Sequence, residues 1–251
     1  MESACKERAI STETLNTLKN YDSATISNVI ELFKIRPNVA GYMNGSIRAQ
    51  YPKLAPVVGY SSTATFRTAY PSSESNVYRR LAEHIERLQE IPEPRIVVVQ
   101  DLDEPPAAAV LGEVMSRVYK RFGCEGFITN GGTRDIIQVE ELNFAVFASS
   151  TIVSHGYPRL EEIHVPVHIG GLLVRPGELL HADANGVVSI PNHIATLVAE
   201  TCPEFTTVEN DVMKYLEDDG VTASGYRVVW EKAKEQFEQL SGKVRQKLQK
   251  D

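Results

Sequence analysis

Apolar residues in the first third of the chain change from helical to strand-like spacing. They recur at steps of three and four across residues 12–34 with a break near Tyr21, which predicts two helices, and Asp22 with Ser23 is placed to cap the second. Residues 54–70 instead alternate and are rich in Val, Thr and Tyr, so strands are favoured there. The chain is therefore expected to begin with helices and then to enter a sheet.

The next part of the chain predicts alternating helices and strands. A helix is expected from residues 72–75 to about Leu88, and the near-continuous apolar run at 96–102 indicates a buried strand that ends in acidic residues. A second helix, ended by Gly123, precedes a short strand at Phe127–Thr129. The apolar residues that share one face of that helix are Val114, Met115, Val118 and Phe122.

Each of these two strands is followed by a loop that contains glycine. The first loop contains Gly112. The second contains Gly131 and Gly132, which we interpret as a turn that only glycine makes easily, and then Arg134 and Asp135. Loops that follow neighbouring parallel strands open on the same edge of a sheet, where ligands bind in open α/β folds.

The C-terminal half predicts strands first and helices afterwards. Residues 144–190 are expected to form strands and tight turns, and residues 192–219 to be mostly helical. From about Tyr226 apolar residues again recur at steps of three and four, which predicts an amphipathic helix interrupted at Gly242.

Composition and charge narrow the class of protein. The 251 residues are 42% hydrophobic and 24% charged, which is typical of a globular protein with a full core. A formal net charge of -7 argues against nucleic-acid binding, because phosphate contacts need clustered Lys and Arg. The cysteines are few and far apart, and neither a signal peptide nor a membrane-spanning apolar run is recognisable. We therefore expect a cytoplasmic protein without membrane association.

Familiar nucleotide-binding and metalloprotease motifs are missing from the sequence, which has no GxGxxG after a strand, no GxxxxGK[ST] and no HExxH. His164 and His168 have a spacing seen in metal sites, but Pro166 disfavours a helix between them. Two histidines alone are a weak metal signal, so a structural or surface role is the favoured interpretation.

Two features of the glycine loops suggest a site when they are taken together. Gly112 and Glu113 open a helix whose first N–H groups attract anions, although Gly112 alone is explained by a turn. Arg134 and Asp135 place a cation beside a carboxylate, although Asp135 alone is explained as a cap of the following helix. Twenty residues separate Glu113 from Arg134, enough for one helix and one strand, and this spacing can bring these groups to one cleft.

Three segments carry a resemblance to a known family: GEVM at 112–115, GFITNGGTRD at 126–135 and VPVHIGGLLVRPGELLHADANGVVSIP at 165–191. On these segments the chain resembles the family of RraA, the regulator of ribonuclease E activity A. That family includes the metal-dependent 4-hydroxy-4-methyl-2-oxoglutarate/4-carboxy-4-hydroxy-2-oxoadipate aldolases. The likeness covers about residues 15–220.

The resemblance implies an architecture. It predicts an α/β fold of the swivelling β/β/α type, with a central β structure flanked by helices, over residues 1–220. Residues 221–251 would form a C-terminal amphipathic helical extension. The resemblance also implies a homotrimer or a dimer of trimers, with sites at subunit interfaces.

The resemblance further implies a reaction. Asp135 would hold a divalent metal, Mg²⁺ or Mn²⁺, with waters in the remaining positions. Arg134 would bind the keto oxygen of a small 2-oxo acid and stabilise the pyruvate enolate formed by retro-aldol cleavage or by decarboxylation of oxaloacetate. The substrate carboxylate would lie at the helix start formed by Gly112, Glu113, Val114 and Met115.

Acidic residues complete the implied site. Glu113 would orient the metal waters, and an acid from a neighbouring subunit, best matched by Glu209, would lie near the metal. Gln138 stands where the aldolases carry an acid, which keeps open the alternative of a non-catalytic regulator that binds an RNA-degrading enzyme. Such regulators tend to lack the Asp of the Arg-Asp pair, so Asp135 favours the enzyme.

Overall fold

The computed structural model describes residues 10–71 and 77–249 as a central sheet flanked by helices. The helices are α1 Thr12–Lys19, α2 Ser23–Leu32, α3 Val77–Arg87, α4 Glu113–Arg121, α5 Ile136–Glu141, α6 Ala195–Leu216 and α7 Ala223–Leu248. The strands are β1 Arg48–Ala49, β2 Val57–Arg67, β3 Arg95–Asp101, β4 Ala109–Leu111, β5 Cys124–Thr129, β6 Gly132–Thr133, β7 Ala145–Ala148, β8 Ser150–Thr151, β9 Arg159–Ile163, β10 Val167–Ile169, β11 Leu172–Val174, β12 Leu179–Asp183 and β13 Gly186–Ile190. Within these ranges, no helix combines the length and the apolar character needed to cross a membrane.

Side-chain caps start the first two helices. Ser11 accepts a hydrogen bond from the N–H of Thr14 at 3.1 Å, and Asp22 accepts one from the N–H of Thr25 at 2.6 Å. These oxygens satisfy N–H groups that a helix leaves unpaired at its start, so they define where each helix begins. The predicted break near Tyr21 and the cap at Asp22 are confirmed. The predicted start of α3 at residues 72–75 lies outside the described residues.

The main sheet has eight strands and a parallel centre. Its order is β1-β7-β5-β3-β2-β12-β13, and β9 also pairs with β2. Strands β2, β3, β5 and β7 are parallel neighbours, whereas β12 and β13 form an antiparallel hairpin. The strands predicted within residues 54–70, 96–102, 127–129 and 144–190 are therefore confirmed.

Both faces of β3 are buried, against different elements. Val97 and Val99 pack into a cluster with Leu111 and with Tyr119 of α4. Ile96 and Val98 face the opposite way and pack with the β10–β11 hairpin. This two-sided burial explains why the β3 sequence is continuously apolar rather than alternating.

The C-terminal helix α7 packs on its own chain. Leu240 and Val244 are buried in the same cluster as α1, α2 and α6. The Ser241 hydroxyl donates to the carbonyl oxygen of Leu32 at 2.6 Å. The interruption predicted at Gly242 is wrong, because α7 continues through this residue and a single glycine costs a helix only about 1 kcal/mol. The division between a core domain and an extension stays a prediction.

The two histidines around Pro166 have different environments. The His164 ring lies 3.1 Å from Oε2 of Glu90 and 3.1 Å from Oγ of Ser62. His168 is exposed on β10. His164 thus takes part in a structural hydrogen-bond chain, and in the described part of the chain no three metal-ligating side chains form a group.

The same chain of hydrogen bonds joins α3 to the sheet. The Ser62 hydroxyl on β2 lies 2.9 Å from Nε2 of His84, whose Nδ1 lies 3.1 Å from the Tyr119 hydroxyl. His84 is fully buried. Burial, with smaller contributions from His164 and Arg87, lowers the pKa of His84 to about 3. Burial is also the main cause that lowers the pKa of His164.

We expect His84 to reduce the free energy of unfolding as the pH falls below its unfolded pKa of 6.5. The folded pKa is about 3, so the unfolded chain binds the proton first, and stability present above pH 6.5 is lost progressively toward pH 3. Each pH unit in this window corresponds to about 1.4 kcal/mol. Burial raises the pKa of Asp101 to about 6, which acts in the opposite direction, so a variant must isolate the histidine.

The variant is His84→Gln, compared with the wild type by urea unfolding at about pH 7 and about pH 5. The loss of unfolding free energy between the two conditions should be about 2 kcal/mol smaller in the variant. Equal losses in the two proteins would show that His84 does not control this pH dependence.

Candidate functional site

A smaller parallel sheet of β4, β6 and β8 positions the two glycine loops. Leu111 of β4 lies opposite Thr133 of β6, and the N–H of Arg134 donates to the carbonyl oxygen of Leu111 at 3.0 Å. Gly112 and Arg134, which follow these strands, are thereby held side by side. The predicted convergence of the two loops is confirmed, although it occurs on a sheet that was not predicted.

Gly112 is required because other groups approach it closely. A Cβ atom at this position would lie 2.6 Å from Oδ2 of Asp135 and 3.0 Å from Nε of Arg134. Its φ of -143° is extended backbone that any residue adopts, so space rather than backbone freedom selects glycine. Any side chain here would push the Arg-Asp pair away from the start of α4.

Gly131 and Gly132 do not form the glycine-specific turn that the sequence suggested. Neither has a positive φ; instead, a Cβ would lie 2.9 Å from Oδ2 of Asp101 at the first position and 2.8 Å from Cδ1 of Ile152 at the second. The positive φ of this loop belongs to Asp135, at 57°. Asp is one of the few residues other than glycine that visit this region routinely.

The Asp135 carboxylate caps the helix across the cleft. The N–H of Glu113, the first residue of α4, donates to Oδ2 at 2.8 Å, and Nε of Arg134 lies 3.7 Å from the same oxygen. Asp135 occupies the N-cap position of α5, but its side chain makes no hydrogen bond there. The prediction that the Asp135 side chain caps α5 is therefore wrong. The other carboxylate oxygen, Oδ1, has no partner among the described residues.

The start of α4 offers further donors. The N–H of Ser116 donates to the carbonyl oxygen of Gly112 at 3.0 Å, and the N–H of Glu113 is taken by the cap. The N–H groups of Val114 and Met115 have no acceptor in residues 10–71 and 77–249. Such groups, together with the helix dipole, attract anions.

The Glu113 side chain is paired along its own helix. Its Oε1 lies 2.6 Å from Nη2 and 2.8 Å from Nε of Arg117, one turn further on. The Arg117 side chain is 61% exposed and the Glu113 side chain 33%, and solvent-exposed pairs of this kind contribute little to stability. The orientation of metal waters by Glu113 stays a prediction.

A cavity of about 280 Å³ brings the predicted groups together. Six of the seven predicted site residues line it, namely Gly112, Glu113, Val114, Met115, Arg134 and Asp135. The other lining residues are Leu81, Ala109, Val110, Leu111, His155 and Pro158. His155 was not predicted, because it lies in a loop outside the motifs at 112–115 and 126–135. Only the fold brings it to this cavity.

Two residues singled out in the sequence lie outside this cavity. Glu209 of α6 lines a groove with Asn28 and Trp230, and burial, with a smaller contribution from Asp22, raises its pKa. Gln138 is exposed on α5. A contribution of Glu209 to the site of a neighbouring subunit stays a prediction.

A larger cleft, of about 750 Å³, lies at the opposite edge of the main sheet. It is lined by Cys124 and Ala145, the first residues of β5 and β7, and by Lys19 and Glu125, which form an ion pair at 2.5 Å. Ligands of parallel sheets bind at the carboxyl ends of the strands, whereas Cys124 and Ala145 lie at the amino ends. The charges of Lys19 and Glu125 neutralise each other and so do not favour a charged ligand. We therefore assign the site to the smaller cavity.

The family of the chain follows from residues 23–189, which match the RraA-like model described as Aldolase/RraA. Because this match covers more than half of the chain, the chain belongs to the RraA-like family. Over 99 residues it is 35% identical to a protein of Halalkalibacterium halodurans that is provisionally named 4-hydroxy-4-methyl-2-oxoglutarate aldolase, covering 39% of this chain and 47% of the relative. An Arabidopsis thaliana protein with the same provisional aldolase name, numbered 3, is 34% identical over 98 residues, 37% of this chain and 56% of the relative. The chain thus spans about half the length of these curated relatives.

Solved structures have the same fold. An uncharacterized protein from Pseudomonas syringae pv. tomato matches with a TM-score of 0.70 at 21% identity, over 91% of this chain and 99% of that chain. Streptomyces coelicolor RraAS2, described as an unusual member of the RNase ES inhibitor RraA protein family, matches with a TM-score of 0.64 at 25% identity, over 81% and 96% of the two chains. The predicted α/β fold class with its flanking helices is confirmed.

Replacing Gly112 by Ala should reduce the free energy of unfolding by about 1–3 kcal/mol, because the added methyl group collides with Asp135 and Arg134. Gly45→Ala is the matched control, since nothing lies within 4 Å of a Cβ at Gly45. Urea unfolding measures both. Equal stability of the two variants would contradict the close approach at Gly112.

Proposed function

We propose that this protein is a divalent-metal-dependent lyase that cleaves a 4-hydroxy-2-oxo acid to pyruvate by a retro-aldol reaction. The same site decarboxylates oxaloacetate, because both reactions pass through the enolate of pyruvate. One observation carries the proposal: Arg134, the unbonded oxygen of Asp135 and the free N–H groups of Val114 and Met115 meet at one cavity. Membership of a family with aldolase-named relatives supports lyase chemistry.

The start of α4 binds the substrate carboxylate in this proposal. The N–H groups of Val114 and Met115 provide two donors, and the positive end of the helix dipole adds to them. The absent side chain of Gly112 lets the Arg-Asp pair stand next to these donors. The carboxylate of a 2-oxo acid is then held beside Arg134, whose guanidinium stabilises the keto oxygen.

Arg134 stabilises the charge that develops during the reaction. Breaking the carbon–carbon bond beside a 2-keto group leaves an enolate, whose charge lies largely on the former keto oxygen. The guanidinium is held 3.7 Å from Asp135 through Nε, at about one third exposure, and keeps its terminal nitrogens for the substrate. A cation that is already in place before the reaction needs no reorganisation when the charge forms.

Asp135 suits a hard divalent cation such as Mg²⁺ or Mn²⁺. Its Oδ2 is fixed by the Glu113 N–H, which orients Oδ1 without occupying it. One carboxylate oxygen plus several waters is an arrangement that Mg²⁺ accepts, and Glu113 at the same cavity would orient those waters. When bound, the metal supplies Lewis-acid stabilisation of the enolate oxygen. None of the described residues that line the cavity is lysine, so they offer no amine for a Schiff base.

The proposed assembly is a homotrimer or a dimer of trimers. Large apolar side chains of the segments around the cavity are exposed: Val114 is 66%, Ile137 69% and Val153 88% exposed. Burial of such side chains against a neighbouring subunit would stabilise an oligomer and bring an acid such as Glu209 to the site. Sedimentation analysis that finds only monomers would contradict this assembly.

Asp135→Asn should lower metal-dependent pyruvate release by at least about 100-fold. The amide keeps an acceptor for the Glu113 N–H and so keeps the helix cap, but it removes the charge that holds the cation. Pyruvate is measured from oxaloacetate and from 4-hydroxy-4-methyl-2-oxoglutarate, with Mg²⁺ or Mn²⁺ and again with a chelator. Asp219→Asn, at an exposed position after α6, is the matched control. Unchanged turnover in a folded Asp135→Asn protein would refute the metal site.

A second candidate function is regulation of an RNA-degrading enzyme by binding alone. The similarity to S. coelicolor RraAS2 in the RNase ES inhibitor RraA family favours it. Titration of Mg²⁺ or Mn²⁺ during thermal unfolding separates the two functions. Thermal stabilisation by the metal that disappears in Asp135→Asn supports the lyase. A protein whose thermal stability does not change with the metal and that binds the nuclease supports the regulator.

A further inference from the structure

We propose that His155 is the general base and general acid of the cavity. Its Nε2 takes the proton of the substrate 4-hydroxyl group and then returns it to the enolate carbon. This proposal rests on the lyase function proposed above and adds a catalytic residue that lies outside the Arg134-Asp135 motif.

Backbone hydrogen bonds hold His155 in place although its side chain is exposed. The carbonyl oxygen of Ser154 accepts from the N–H of Ala109 at 2.7 Å, and the N–H of Tyr157 donates to the carbonyl oxygen of Thr68 at 2.8 Å. The loop is thus fixed on both sides of the histidine. Because Ala109 begins β4, the same strand that leads to the start of α4 also anchors this loop.

The backbone after His155 also requires glycine. Gly156 has φ 52°, and a Cβ at this position would lie 2.5 Å from the carbonyl oxygen of Thr68. The N–H of Gly156 donates to Oγ of Ser154 at 3.1 Å. This tight turn directs the carbonyl group of Gly156 toward the imidazole ring.

A hydrogen bond sets the tautomer of the ring. Nδ1 of His155 lies 2.8 Å from the carbonyl oxygen of Gly156, which can only accept, so Nδ1 must carry the proton. In the neutral ring Nε2 therefore carries the lone pair. Within the described parts of the chain, Nε2 has no hydrogen-bond partner. A neutral imidazole with an open Nε2 lone pair can accept a proton from a hydroxyl group within hydrogen-bond reach.

The carboxylates that line the cavity are each bonded through one oxygen. Glu113 is paired with Arg117, and Asp135 accepts the Glu113 N–H and lies beside Arg134. Arginine stays protonated and cannot act as a base. Among the described lining residues, His155 alone offers a side-chain nitrogen with an open lone pair, and the open oxygens of Asp135 and Glu113 are assigned above to the metal and its waters. A cavity of about 280 Å³ is small enough for one small 2-oxo acid to reach both walls.

The proposed step conserves atoms, electrons and protons. Nε2 removes the proton of the 4-hydroxyl group, the oxygen electrons form the new carbonyl bond at C4, and the C3–C4 bond breaks. The electron pair of that bond passes to the pyruvate enolate. The imidazolium then gives its proton to C3, which completes pyruvate and restores the neutral ring.

Decarboxylation of oxaloacetate supplies an internal comparison. Its C3–C4 bond breaks with loss of CO₂, and no hydroxyl proton has to be removed. Water can protonate the enolate afterwards. His155 should therefore matter for aldol cleavage and matter little for decarboxylation, although both reactions use the same binding groups and the same enolate.

The test variant is His155→Asn. The Asn side-chain amide can donate to the Gly156 carbonyl as Nδ1 does, but it has no group in place of Nε2. We expect kcat for cleavage of 4-hydroxy-4-methyl-2-oxoglutarate to fall by about 100-fold or more, with KM nearly constant, and kcat for oxaloacetate decarboxylation to fall by less than about 3-fold. The limb of the cleavage pH profile that reports the base should also disappear. His193→Asn, an exposed histidine outside the cavity, is the control.

Three outcomes would overturn the assignment of His155. Equal losses in both reactions would make His155 a residue of the fold or of substrate binding, and unchanged cleavage would remove its role altogether. If the wild-type protein releases pyruvate from neither substrate, the lyase function itself is refuted, and the role of His155 as its base is refuted with it. The ratio of the two activities thus separates failure of this inference from failure of the proposed function.

Discussion

The hydrogen bond from the Glu113 N–H to the Asp135 carboxylate joins the two walls of the cavity. It connects the start of α4 to the loop after β6, and it exists only because Gly112 has no side chain between them. This contact fixes one oxygen of Asp135 and leaves the other unbonded. It also leaves two N–H groups of the first helical turn free. The proposed binding of an anion and a cation side by side depends on this single arrangement.

The small sheet of β4, β6 and β8 explains how such a contact forms. Its pairing sets Gly112 beside Arg134, so the residues that would meet the substrate follow directly from two aligned strand ends. The positive φ of Asp135 then turns the carboxylate back toward α4 instead of toward α5. The backbone conformation of Asp135 therefore determines which helix its carboxylate caps.

Much of this could be predicted from the sequence because the signals are local. The cap at Asp22 and the end of α4 near Gly123 depend on neighbouring residues, and the continuous apolar run of β3 reflects burial on both faces. The spacing between Glu113 and Arg134 indicated one cleft, because one helix and one strand account for it. The family resemblance added the roles of the residues but not their contacts.

Other features could not be predicted because they depend on contacts between distant segments. Strands of two or three residues, such as β6, show no periodicity of their own. Gly131 and Gly132 proved to be selected by the proximity of Asp101 and Ile152, not by a turn. Gly242 did not break α7, because helix packing outweighed its weak helix propensity. His155 reaches the cavity only through tertiary hydrogen bonds at Ser154 and Tyr157.

In the proposed function, these groups form one metal-dependent site for making pyruvate. The most direct measurement is pyruvate release by the wild-type protein from 4-hydroxy-4-methyl-2-oxoglutarate, with Mn²⁺ or Mg²⁺ and then with excess chelator. We expect release that requires the metal and returns when the metal is restored. A folded protein that releases no pyruvate from this substrate or from oxaloacetate under any metal condition would contradict it.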